Sequence, residues 1–209
     1  DKRALDVLSE RIGFFCDDTR DCIKGNVFDA ANAGYVNGAP QHGYDVLHSI
    51  SAWRSGAHGF WPKRAGQVVQ YVSAHDNYTL WDKLAAVGRR GDYDCPDADL
   101  LAQNRMTAGI YLTCQGLPFM QAGEEWGRTK HGDHNSYKGP LATNRLDWTR
   151  AHRPARQGSR SRLFWRCQAG SSALCRRTTA RPRWVSWPST TTPSAPASGP
   201  ACPPVPGAK

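Results

Sequence analysis

The run Val68-Val69-Gln70-Tyr71-Val72-Ser73-Ala74-His75-Asp76-Asn77 decides how the rest of the chain is read. Val68, Val69, Tyr71 and Val72 are β-branched or aromatic, and Gly66 and Asn77 bound them, which predicts a short strand. A near-continuous apolar strand belongs inside a parallel sheet covered on both faces. In such sheets ligands and catalytic groups gather at the carboxyl ends of strands. His75 and Asp76 stand at that end. They are either a functional site, or Asp76 or Asn77 caps the helix that begins near Thr79.

Outward from this run the chain repeats one grammar. Upstream, Ala4 to Glu10 reads as a short helix, Ile12-Gly13-Phe14-Phe15 as a strand ending at Asp17-Asp18, and Thr19 to Lys24 as a helix stopped by Gly25. Residues 25–66 are glycine-rich and aperiodic, a long loop region with one helix around Val46 to Trp53; loops of that length in compact domains are usually functional. Downstream, Leu80, Leu84 and Val87 share a helix face that Gly88 ends. A polar loop over 88–98 leads to a helix through Leu101, Ala108 and Leu112, with the row Met106, Ile110, Cys114. Leu117 to Ala122 is a second apolar strand ending in Gly123-Glu124-Glu125. Strand, polar loop, helix and strand in this order predict βα units around a parallel sheet.

Charge divides the chain at about residue 150. The whole carries 27 basic and 18 acidic residues, a formal +9. Residues 151–209 hold nine Arg, one Lys and no Asp or Glu, leaving 17 basic against 18 acidic residues in 1–150. The basic character therefore belongs to the tail, and no nucleic-acid partner is expected of the folded part. In the tail Ile, Met, Asn and Tyr vanish while Arg, Pro, Ser, Thr and Ala dominate, so 151–209 reads as disordered. We favour out-of-frame translation of a GC-rich gene over a basic nucleic-acid-binding arm. Seven cysteines without a C-x-x-C pair predict free, mostly structural thiols rather than a disulfide framework or zinc site. No apolar run of about 18 residues is present, so no membrane-spanning helix is expected. The chain opens without Met or a signal pattern, and we expect an internal piece of a longer protein, cytoplasmic or secreted.

Three stretches carry a family resemblance: Ile12-Gly13-Phe14-Phe15-Cys16-Asp17-Asp18; Tyr71 to Leu84, containing His75-Asp76-Asn77-Tyr78-Thr79-Leu80-Trp81-Asp82-Lys83-Leu84; and Gly116 to Glu125. The last continues into Arg128-Thr129-Lys130 and Gly132-Asp133-His134-Asn135-Ser136-Tyr137. Over residues 10–148 the chain resembles the type I pullulanases of the α-amylase superfamily. The resemblance implies an α/β fold, the C-terminal portion (about the last three βα units) of a (β/α)8 TIM-type barrel over residues 1–150. It also implies a retaining glycoside hydrolase that cleaves α-1,6-glucosidic branch linkages in pullulan, amylopectin, glycogen or limit dextrins.

Retention needs a carboxylate nucleophile and a carboxylic general acid close together. By resemblance Asp76 is a third carboxylate, the transition-state stabiliser, with His75 bonding the same sugar ring. Asn77, Asp133, Asn135 and Tyr137 are expected near substrate. Neither bond-making carboxylate motif is found in this sequence. The isolated chain is therefore expected to be inactive, and Glu124 and Glu125 are expected to make structural hydrogen bonds. The partner implied is an α-glucan polysaccharide or oligosaccharide, with no cofactor, metal or membrane.

Other readings weigh less. His131, Asp133 and His134 could suggest a metal site, but a polar loop favours sugar or solvent contact. Trp53, Trp61, Trp81 and Trp126 could stack on glucose, although a buried Trp is more often core. His75-Asp76 as a metal phosphohydrolase pair lacks helical ligands, and no nucleophile elbow supports a serine triad. The remaining alternative is a non-catalytic barrel remnant or a basic-tailed module binding glucan or nucleic acid.

Overall fold

The computed structural model describes residues 9–88, 92–94 and 98–152. Three strands, β1 (Phe14–Phe15), β2 (Val68–Gln70) and β3 (Leu117–Pro118), form one parallel sheet in that order. Phe14 lies opposite Val68 and Phe15 opposite Val69; Val69 in turn faces Leu117, and Gln70 faces Pro118. Parallel neighbours require crossover connections. Helices α1 (Asp17–Lys24) and α2 (Gly43–Ile50) lie between β1 and β2, and α3 (Leu80–Val87) and α4 (Ala98–Tyr111) between β2 and β3. Two short helices follow, α5 (Leu141–Asn144) and α6 (Trp148–His152).

The strands are shorter than the apolar runs. Phe15 gives way at once to Cys16 and α1, so Tyr71 and Val72 have no β1 residues left to pair with. Pro118 has no N–H to donate, and the ladder closes with Phe119 N–H on Gln70 O at 2.8 Å. Nor, among the described residues, is the sheet covered on both faces. Phe15 and Leu117, which flank Val69 in register, are 49% and 50% exposed, and Phe119 is 38% exposed. Phe15 packs edge-on against Tyr71 and Phe119, with centroids 4.9 and 5.1 Å apart.

The other side is tied down by one polar residue. Gln70 is fully buried; its Nε2 donates to Ser49 O (2.9 Å) and Gln115 O (2.8 Å), and its Oε1 accepts from Thr19 Oγ1 (2.7 Å). One amide thus satisfies groups on α1, on α2 and just beyond α4. Trp53 Nε1 also donates to Thr19 Oγ1 (2.8 Å).

The helices differ from expectation in register. α2 ends before Trp53, because Ala52 and Trp53 turn into left-handed backbone (φ 53° and 57°) and the indole swings fully into the core. On α4 the buried face is Leu100, Asn104, Thr107, Ala108 and Tyr111, at helical spacing, while Met106 points to solvent. Asn104 and Thr107 can occupy that face because Asn104 donates to Glu124 O and Thr107 to Gln103 O. Of the expected helix Ala4–Glu10, only Ser9 and Glu10 are described, and they form a turn. The expected disordered tail lies outside the described residues from 153 on; α6 runs two residues past the expected boundary at 150. Cys16, Cys22 and Cys114 are buried. Among the described residues no helix is long and apolar enough to cross a membrane.

Candidate active site

The carboxyl end of β2 leads into the turn His75-Asp76-Asn77-Tyr78, and α3 begins two residues later. The cap of α3 is Thr79, whose side chain accepts from Asp82 N–H (3.1 Å), so neither Asp76 nor Asn77 is spent on capping. Asn77 takes a left-handed backbone (φ 61°), a conformation that asparagine tolerates better than most residues. The side chains of His75 and Asp76 are 88% and 70% exposed and meet at 3.4 Å, Nε2 to Oδ2.

The turn forms one wall of a cleft of about 260 Å³ whose other walls include Phe15, Tyr71 and Phe119 of the uncovered sheet face and Arg20 and Lys24 of α1. Asp76 contributes the one carboxylate among the cleft-lining residues. Asp17, next to β1, is engaged elsewhere: its Oδ1 accepts from Tyr71 Oη (2.6 Å) and from Arg20 Nη1 (3.1 Å). Arg20 Nη1 also donates to Tyr71 Oη (2.7 Å), while its Nε and Nη2 grip the two oxygens of Asp21. Burial alone would depress the Arg20 guanidinium, but the Asp21 carboxylate, Tyr71 and Asp17 raise it, so it stays charged. Burial, reinforced by Asp17, pushes the Tyr71 phenol up, and it stays neutral.

Beneath the turn lies a buried polar layer. Glu124 accepts from Ser73 Oγ (2.5 Å) and Tyr111 Oη (2.6 Å), which links the end of β2 to α4. Burial pushes this carboxyl up to about 7 against the pull of those two donors and of Lys24. These bonds are structural in kind, as expected of this motif. Lys24, also fully buried, is pushed down to about 7, and its Nζ donates to Tyr78 O (3.2 Å). Lys130 Nζ donates to His75 O (3.2 Å) and Ser136 Oγ (3.1 Å).

Lys130 thereby brings the loop holding Asp133, Asn135 and Tyr137 alongside the turn, and His134 packs its ring on Tyr78 at 5.3 Å. These three candidates are nevertheless not among the residues lining the cleft. Asp133 Oδ1 accepts from Asn135 N–H (2.8 Å), and Tyr137 is exposed with Lys138 over its ring. Among the described residues no group of three or more His, Cys, Asp and Glu side chains could hold a metal ion; His131 instead sits 3.7 Å from Asp94. Trp53 and Trp81 are core residues, Trp126 packs at a tilt against Trp148, and Trp61 is exposed beside Gly56. Sequence reasoning missed Arg20, Tyr71 and Lys24 as cleft walls and Lys130 as a bridge. The one signal for them was Arg20 beside Asp21 and three residues after Asp17.

No family model matches the chain. In sequence it is 38% identical over 141 residues to the pullulanase of Bacillus subtilis strain 168, covering 66% of this chain and 19% of that protein. It is 27% identical over 139 residues to pullulanase A of Streptococcus pneumoniae, covering 66% of this chain and 11% of that protein. In structure it matches the pullulanase of Bacillus acidopullulyticus with a TM-score of 0.61 and 33% identity over 68% of this chain and 16% of the other. The pullulanase of Paenibacillus barengoltzii, in complex with maltohexaose and α-cyclodextrin, matches with a TM-score of 0.66 and 34% identity, over 79% of this chain and 24% of the other. The chain thus spans less than a quarter of the length of each of these relatives. Sequence and structural similarity agree over about two thirds of its length or more, and this chain is a pullulanase-type segment.

Proposed function

We propose that this chain supplies the transition-state-stabilising part of a retaining α-1,6-glucosidase site, acting on pullulan and related branched α-glucans. The observation that carries the reading is Asp76 in the turn that follows β2, exposed to a cleft and free of the capping role its position invites. In hydrolysis with retention, one carboxylic acid protonates the glycosidic oxygen while a second carboxylate, held about 5 Å from the first, attacks the anomeric carbon. The sugar ring flattens and gains positive charge. A carboxylate bonded to ring hydroxyls that acidify as this charge grows binds the transition state more tightly than the ground state. Asp76 suits that task, and His75, in contact with it, can donate to the same ring.

In this reading the three-stranded parallel sheet is an arc of a (β/α)8 barrel, and its uncovered apolar face looks into the barrel interior. The nucleophile and general acid come from outside these 209 residues. Two features support that assignment: Asp76 is the one carboxylate on the cleft, and Asp17 is already bound by Tyr71 and Arg20.

The test is a chimera in which residues 10–150 replace the matching segment of the Bacillus subtilis pullulanase. The chimera should release reducing ends from pullulan, and Asp76→Asn within it should lower kcat by about 100-fold or more with little change in KM. An effect confined to KM would overturn the role given to Asp76. The 209-residue chain alone should release none, and robust hydrolysis by it would overturn the missing-carboxylate part of the proposal.

A further inference from the structure

Three lysines are buried almost completely, Lys24, Lys83 and Lys130. Taking an ammonium out of water is unfavourable by several kcal/mol unless hydrogen bonds compensate. Each of the three finds its compensation at backbone carbonyls far along the chain. Lys83 Nζ donates to Asp29 O and Ala30 O, at 2.5 and 3.4 Å, in the long loop after α1. The other two converge on one turn. Lys130 Nζ donates to His75 O and Lys24 Nζ to Tyr78 O, both at 3.2 Å. Among the described residues these are the only hydrogen bonds made to the backbone of residues 75–78. The side chains of His75 and Asp76 contact each other but are otherwise exposed. A four-residue turn with a left-handed Asn77 is therefore fixed at its first and last carbonyls by two lysine hydrogen bonds.

Each lysine is itself well anchored. Lys24 ends α1, and its carbonyl accepts from Asn37 Nδ2 (3.0 Å). Lys130 N–H donates to Asp82 Oδ2 (2.8 Å), and Asp82 Oδ1 accepts from Thr129 (2.5 Å). Ser136, the second partner of the Lys130 ammonium, is held on both sides by Asn144. The turn is thus referenced to α1 at one end and to α3 and the Asp133–Tyr137 loop at the other.

We propose that Lys24 and Lys130 are positioning residues that clamp the two ends of the His75–Tyr78 turn and so aim Asp76 at the sugar. The proposal rests on the glucan reading of Asp76 for its functional consequence. Neither lysine needs to touch substrate.

The experiment uses the whole 209-residue chain, 15N- and 13C-labelled, with Lys24→Met, Lys130→Met and Lys83→Met compared to the unsubstituted protein. Methionine keeps the apolar stem and removes the donor. In the unsubstituted chain the amides of residues 75–78 should show rigid order parameters near 0.85. Lys24→Met and Lys130→Met should each drop them below about 0.6 while residues 68–70 stay rigid, and Lys83→Met should leave the turn unchanged. Unchanged order parameters in either clamp variant, or the same loosening in Lys83→Met, would overturn the clamp. Should a variant fail to fold, the unsubstituted chain still decides. Scalar couplings across the hydrogen bonds, from the two ammonium groups to the His75 and Tyr78 carbonyl carbons, are expected, and their absence overturns the proposal. Titration with maltohexaose tests the reading beneath it. Shifts at residues 75–77 with at least tenfold weaker binding in both clamp variants support positioning; equal affinity overturns it. A loosened turn in a chain that maltohexaose does not perturb would retain the clamp and remove the glucan reading.

Discussion

Replacing Glu124 with glutamine should remove a specific pH dependence from the stability of this protein. The carboxyl is buried among Ser73, Tyr111 and Asn104, and its value rises from an ordinary 4.5 to about 7. Between those limits the native state holds a proton that the unfolded chain has released, so stability falls as pH rises. Below about 4.5 the group is protonated in both states and the contribution is complete; above about 7 it is lost. At roughly 1.4 kcal/mol per pH unit of that window, the loss is on the order of 3 kcal/mol. Lys24 acts oppositely and at higher pH, since a lysine held down to about 7 favours folding as pH climbs from 7 towards 10.5. It is present in both proteins and titrates at the upper edge of the window, so the comparison over pH 4.5–7 reads Glu124 together with its coupling to Lys24. Urea unfolding at half-unit steps, with m-values checked for constancy, gives the difference directly. The stability of the unsubstituted chain minus that of Glu124→Gln should decline by about 3 kcal/mol across the window. A flat difference, or one that grows with pH, would refute the assignment of Glu124 as a buried, proton-holding carboxyl.

Gln70→Leu should lower unfolding stability by about 3 kcal/mol, because it strands the Ser49 and Gln115 carbonyls in the core; chemical denaturation measures this. Gly116→Ala should cost about 2–4 kcal/mol, since φ is 116° and an added Cβ would meet the Val68 carbonyl at 2.6 Å, read as a lowered Tm. Asp76→Asn should change stability by less than about 0.5 kcal/mol, because its side chain is exposed and the ion pair it makes is with the exposed His75; a larger loss in a urea titration would assign Asp76 to the fold.

What the sequence made legible follows the range of the interactions involved. Periodicity located α3 through Leu80 and Leu84, and the break from β-branched to polar residues marked the turn at His75-Asp76, although β2 itself ends at Gln70. The roles of Thr79 and Gln70 were less visible. A threonine before a helix competes with neighbouring Asp and Asn as a cap, and a glutamine in an apolar run looks like an interruption until its partners, 21 to 51 residues away, are placed. Nothing local marked Lys24 or Lys130 as buried. Their carbonyl partners lie 54 and 55 residues distant, and no local pattern encodes such pairs. The buried face of α4 was misread for a related reason: Asn104 is acceptable inside because of a carbonyl 20 residues downstream.

The strand order β1-β2-β3 is also the order of synthesis. Phe14 pairs with Val68, and Val69 with Leu117, so each ladder closes a loop of about fifty residues and contact order is high. Growth is nonetheless vectorial. On a ribosome β2 can dock on β1 before β3 has emerged, and β3 then finds a preformed edge rather than competing for one. The carbonyls that Gln70 satisfies arrive in the same sequence, Ser49 before it and Gln115 long after. With Thr19 also upstream, two of the three bonds of its amide can form before the last strand is made, and the third, to Gln115, is added only as β3 follows.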